Sequence, residues 1–94
     1  MAKIVIVEDD IFLREELQNI LEKEGYSVEI ISSFDTPLED IMSASPALIL
    51  LDLNLPNLSG FQLCRALKAR GIGPILVLTS RNQLRDELHA LQLG

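Results

Sequence analysis

Four short apolar runs separated by longer stretches of mixed polarity organise the chain: AKIVIV at 2–7, VEII at 28–31, ALILL at 47–51 and ILVL at 75–78. Each is too short for a helix with a buried face, and three are rich in Val or Ile, so all four read as strands. The first, third and fourth predict strands covered on both faces, as in a parallel sheet. The second carries Glu29 and follows the turn-like Gly25, which suits an edge. Between the first two runs, Phe12, Leu13, Leu17, Ile20 and Leu21 recur at spacings of three and four, predicting an amphipathic helix with Asp10 as N-cap and Gly25 as stop. A short helix is expected over 37–43, stopped by SASP. A third spans 59–70 with Leu63, Cys64 and Leu67 inward, and ends at Gly71 behind Lys68 and Arg70, cations that suit its C-terminal dipole. A fourth, over 83–93, places Leu84, Leu88 and Leu91 on one stripe, with Gly94 as its stop. The βαβα alternation calls for an α/β fold, a doubly wound parallel sheet in which crossover helices cover both faces.

Composition narrows the class. Ninety-four residues, 48% of them hydrophobic, suffice for one domain with a single core over 1–94. Fourteen acidic against eight basic residues give a formal charge of -6, which disfavours binding nucleic acid through its phosphates and favours a cation or a basic partner. Cys64 is the single cysteine and has no internal disulfide partner; on the inward stripe of the third helix it reads as a small hydrophobe. The opening MAKIVIVEDD turns acidic too soon for a signal peptide or a membrane span, so a soluble, cytoplasmic protein without membrane contact is expected.

The chemistry gathers where the strands end. In open α/β sheets, ligands bind beyond the carboxyl ends of the strands. Here Glu8, Asp9 and Asp10 follow the first strand, Asp52 and Asn54 follow the third, and Thr79 and Ser80 follow the fourth. Asp52 stands out, because an apolar run that excludes charge delivers a carboxylate, and burying one unpaired costs several kcal/mol. If the first and third strands are neighbours, the acidic cluster and Asp52 converge, and their mutual repulsion calls for a cation. An all-oxygen donor set with few protein ligands fits Mg²⁺, or Mn²⁺, with positions left for water and a phosphoryl group. An aspartate held there is a nucleophile for phosphorus and forms an acyl phosphate, with the Thr79 hydroxyl directed to an oxygen of the transferred group. Singly these residues have plainer roles: Asp9 or Asp10 as a helix cap, Asp52 as the start of an Asx-turn, Thr79 and Ser80 as a cap of the last helix. Acid, acid and hydroxyl at three strand ends are hard to assign to capping together.

KIVIVEDD, LILLDLNLPNLSG and PILVLTS, in this order and spacing, resemble the receiver domain of two-component response regulators, and the resemblance covers the whole chain. It implies a flavodoxin-like receiver fold of strand order 2-1-3-4. Asp52 would accept a phosphoryl group from a sensor histidine kinase, and Asp9 would bind Mg²⁺ directly, with Glu8 helping through water. The backbone carbonyl of Asn54 would complete the metal ligands, and Thr79 would be the switch hydroxyl. Pro56 and Gly60 would shape the loop over the site, with Gly60 opening the third helix. Ile11, Phe12 and Arg14 on the first helix, with Pro56, would face the kinase. Such a domain catalyses only its own phosphorylation and dephosphorylation, and controls an attached output domain, here by analogy a transcription regulator.

The family continues into a fifth strand, ending in a lysine that pairs with the phosphoryl group, and a fifth helix; this chain stops at Gly94 and is expected to lack both. A bare fourth-strand edge would then favour a homo-oligomer or an element-swapped dimer. A receiver-like interaction module that no longer signals is the alternative. A Mg²⁺-dependent phosphohydrolase is disfavoured by Asn54, where such enzymes carry a second acid. His89 lies at the boundary of an apolar stripe without an acidic cluster in its segment, and Arg81 and Arg85 read as a solvated helix face or a partner contact.

Overall fold

The computed structural model describes residues 2–31, 35–55 and 58–78. The predicted fourth helix, with His89, Arg81 and Arg85, and the site residues Pro56 and Thr79 lie outside them. In chain order the elements are β1 (Lys3–Val7), α1 (Ile11–Lys23), β2 (Ser27–Ile31), α2 (Pro37–Ala44), β3 (Leu48–Asp52), β4 (Asn54–Leu55), β5 (Leu58–Ser59), α3 (Gly60–Ala69) and β6 (Ile75–Leu78).

Four strands form one parallel sheet in the order β2-β1-β3-β6. Counting only its members, this is the expected 2-1-3-4 order. The period of two along each strand sorts side chains between two layers. Val5, Val7, Ile49 and Leu51 face Ile41 and Ala44 of α2 and Leu63 and Leu67 of α3. Ile4, Ile6 and Leu50 face the other way, onto Leu17 and Leu21 of α1. The sheet is thus wound on both sides, and the unbroken apolar character of the first and third runs follows from it.

Helices α1 and α3 end where their sequences direct. Asp10 caps α1 by accepting from the Leu13 amide at 3.1 Å. At its other end Gly25, at φ +95°, donates to the Glu22 carbonyl and Tyr26 to that of Leu21. The same paired reversal closes α3, with Gly71 at φ +70° donating to Lys68 and Ile72 to Leu67. These are Schellman closures, and only a residue at ease at positive φ makes them without strain.

Two expectations need correction. Phe12 and Ile20 are not part of the buried stripe of α1: they are 63% and 59% exposed, and Leu17 and Leu21 make the contact with the sheet. The fourth apolar run is not covered on both faces either, since Leu76 is 54% exposed. Among the described residues β6 pairs with β3 alone. The second run behaves as expected, with Ile31 its single buried residue.

Candidate functional site

The β1–β3 register builds the site. Val7 lies opposite Leu51 at the end of that ladder, so the next residues along each strand, Glu8 and Asp52, emerge side by side at the carboxyl edge. Both share the parity of Ile4, Ile6 and Leu50, which sends their side chains to the face that α1 covers. β3 runs one residue further than the apolar run suggests, because Asp52 pairs with Leu78 of β6. The following amide, that of Leu53, donates to the Leu78 carbonyl at 3.2 Å. Asp52 is therefore held between two strands.

Asp10 is committed to capping α1, which leaves Asp9 for the site. One carboxylate oxygen each from Glu8, Asp9 and Asp52 lie within 4.8 Å of one another. Glu8 and Asp52 are buried, at 3% and 6% exposure, whereas Asp9 is exposed. Glu8 accepts from the Asp10 amide at 3.0 Å. Burial pushes its carboxyl up from 4.5 to about 7; the Asp10 amide opposes that rise, and the Asp52 charge and hydrogen bonds with Asp52 and Asp9 add to it. Three oxygen donors, two of them buried at a strand end and one open to solvent, match a hard divalent cation that keeps part of its water.

Of the other expected residues, Asn54 opens β4, whose two residues pair antiparallel with β5 as Asn54↔Ser59 and Leu55↔Leu58. This ladder, absent from the sequence reading, ties the segment after Asp52 to the start of α3. The Ser59 hydroxyl caps α3 by accepting from the Gln62 amide at 3.2 Å, and Gly60 is its buried first residue. Ile11 and Phe12 are exposed on the first turn of α1, and Arg14 is half-buried. The burial of Glu8 has one signal in the sequence, its parity with Ile4 and Ile6 on the face that α1 covers.

Residues 4–94 match the family model described as the response regulator receiver domain. The chain belongs to that family. Among curated relatives, the transcriptional regulatory protein YxdJ of Bacillus subtilis is 36% identical over 94 residues, which make up 100% of this chain and 41% of that protein. The chain thus spans about two-fifths of the length of the curated relatives it matches. Among solved structures, the N-terminal domain of the nisin resistance regulator NsrR superposes with a TM-score of 0.81 at 34% identity, covering 100% of this chain and 80% of that one. The response regulator TrrA of Thermotoga maritima, solved in complex with Mg²⁺-BeF, gives 0.78 at 28% identity, covering 94% and 77%. As a receiver, this chain has the CheY-like parallel sheet, and no helix among its described residues is long and apolar enough to cross a membrane.

Proposed function

We propose that this receiver takes a phosphoryl group on Asp52 from a histidine of a sensor kinase, in a reaction that requires Mg²⁺. The observation that carries the reading is the convergence of Glu8, Asp9 and Asp52 within 4.8 Å at the carboxyl edge of β1 and β3. Asp9 and Asp52 would hold the ion directly, Glu8 through water, and the Asn54 backbone carbonyl would complete the protein ligands. When bound, the dication supplies a Lewis acid that offsets charge on the transferred oxygens. An Asp52 oxygen bonds to phosphorus while the bond from phosphorus to the histidine nitrogen breaks; that nitrogen keeps the electron pair and takes up a proton. The Thr79 hydroxyl donates to an oxygen of the resulting acyl phosphate. Water later cleaves it, so Asp52 serves as acceptor in its own modification and the domain is not a multiple-turnover enzyme. The exposed Ile11 and Phe12 on α1, with Arg14 and Pro56, form the surface offered to the kinase. The output is the activity of an attached domain, by similarity to its relatives a transcription regulator.

The test is intact-mass spectrometry after incubation with phosphoramidate, a small donor with the phosphorus–nitrogen bond of phosphohistidine. One phosphoryl group should add with Mg²⁺ and none with EDTA, and Asp52→Asn should abolish the gain. A gain that survives Asp52→Asn, or none in the wild-type chain, rejects the assignment.

A further inference from the structure

We infer that the outer face of α2 and α3 is an interface with a second copy of this chain, the two copies being related by a two-fold axis. The helices share one layer of the fold, where Ile41 and Ala44 of α2 and Leu63 and Leu67 of α3 enter the same core cluster. Both cross between strands of one parallel sheet, so they run in the same direction, each starting at the carboxyl edge. Pro37 and Ile41 bury α2, and Leu63 and Leu67 bury α3. Glu39 stands two residues from both members of the first pair, and Arg65 two residues from both of the second. That is about 200° around each helix, so both side chains point away from the sheet. Both residues are exposed.

The four corners of this face differ in character. Asp35 and Glu39 make the start of α2 acidic, while Arg65, Lys68 and Arg70 make the later part of α3 basic, and all five are exposed. Met42, 45% exposed, lies in the last turn of α2, and Phe61, 65% exposed, in the first turn of α3. Acid and base therefore occupy one diagonal of the face and the two large apolar side chains the other. Among the described residues no ion pair joins the two helices, so these charges are not spent on each other. A uniformly acidic partner would suit Arg65 and be repelled by Glu39, and a basic one the reverse. A second copy answers both. With the two-fold axis lying in the face along its apolar diagonal, the acidic corner of each copy meets the basic corner of the other, while Phe61 and Met42 meet their own counterparts. The same patch serves both copies, so association closes at two. The charge pairs set the register, and the apolar corners supply area to bury. α1 packs on the opposite layer, so the surface proposed for the kinase stays open, and the inference does not depend on the Mg²⁺ chemistry.

Sedimentation equilibrium in Mg²⁺-free buffer tests it on wild type, Glu39→Arg, Arg65→Glu, the double variant, and an equimolar mixture of the two single variants. Wild type should form dimers at hundreds of micromolar, and fewer at high NaCl, because exposed charges are screened. Each single variant sets like charges against each other and should dimerise ten-fold or more weakly. The mixture should recover wild-type association, since one variant's face is then acidic at both positions and the other's basic at both, and the double variant should recover it alone. Both positions are exposed, so far-ultraviolet circular dichroism should match wild type in every variant. A wild-type chain that stays monomeric throughout overturns the inference. So does a dimer that the single variants leave intact, or a mixture that associates no better than its components, since either puts the contact on another surface.

Discussion

Glu8 joins the sheet core to the site, and its ionisation links pH to stability. Its carboxyl stands at about 7 in the folded chain because burial disfavours the anion, against 4.5 as its ordinary value. Between those two values the folded state keeps a proton that the unfolded chain has released. The neutral carboxyl's contribution is therefore complete below pH 4.5 and is lost as pH rises through about 7. The shift corresponds to about 3 kcal/mol at its largest. In metal-free buffer, urea unfolding should show wild-type stability falling from pH 5 to pH 8 relative to Glu8→Gln, whose amide cannot ionise. A difference between the two that does not change with pH would reject this assignment. Asp52→Asn should raise metal-free stability at pH 8, where Glu8 is charged, because one of the crowded carboxylates is removed; a lower melting temperature than wild type counts against crowding.

Helix α1 divides its work between its faces, and the division explains what the pattern of apolar residues concealed. At 100° per residue, Phe12 lies about 140° around the helix from Leu17, so a list of apolar positions at helical spacing joined two separate surfaces. Phe12→Ala should change stability by less than about 0.5 kcal/mol, as surface substitutions do, whereas Leu67→Ala in α3 should cost about 2 to 5 kcal/mol. If Phe12 meets the kinase, its truncation should slow phosphoryl transfer from the kinase and leave transfer from phosphoramidate unchanged; equal slowing with both donors would move its role to the chemistry. Other elements were open to the sequence in proportion to how local their causes are. The stops at Gly25 and Gly71 and the caps at Asp10 and Ser59 act within one helical turn, and were readable except that Ser59 stood inside the predicted helix. The extension of β3 to Asp52 depends on pairing with Leu78, and the β4–β5 ladder on four residues too few to show alternation. The closeness of Gly60 to the Asp52 backbone reflects tertiary contact, so it leaves no local pattern.

Across the whole molecule charge is unevenly placed: residues 53–78 contain no acidic side chain, while the three site carboxylates come from 8–52 in a chain of net charge -6. The sheet concentrates negative charge at one end of two buried strands, and each of those strands contributes to both layers of the core. A dication bound there acts on folding as a whole, because the unfolded chain has no such cluster to offer. With free Mg²⁺ at ten times its dissociation constant, binding stabilises the folded state by about 1.4 kcal/mol. In a domain of this size that raises the melting temperature by roughly 5 to 10 °C. The rise should saturate with Mg²⁺, reverse with EDTA, and be smaller at pH 6 than at pH 8, because below about 7 Glu8 holds a proton that competes with the metal. Asp9→Asn should remove most of it. Thermal melts against Mg²⁺, with NaCl adjusted to constant ionic strength, separate this from screening of the net charge. An equal rise in NaCl alone, or one unaffected by Asp9→Asn, would show that the cation acts on the acidic surface at large and not at the strand-end cluster.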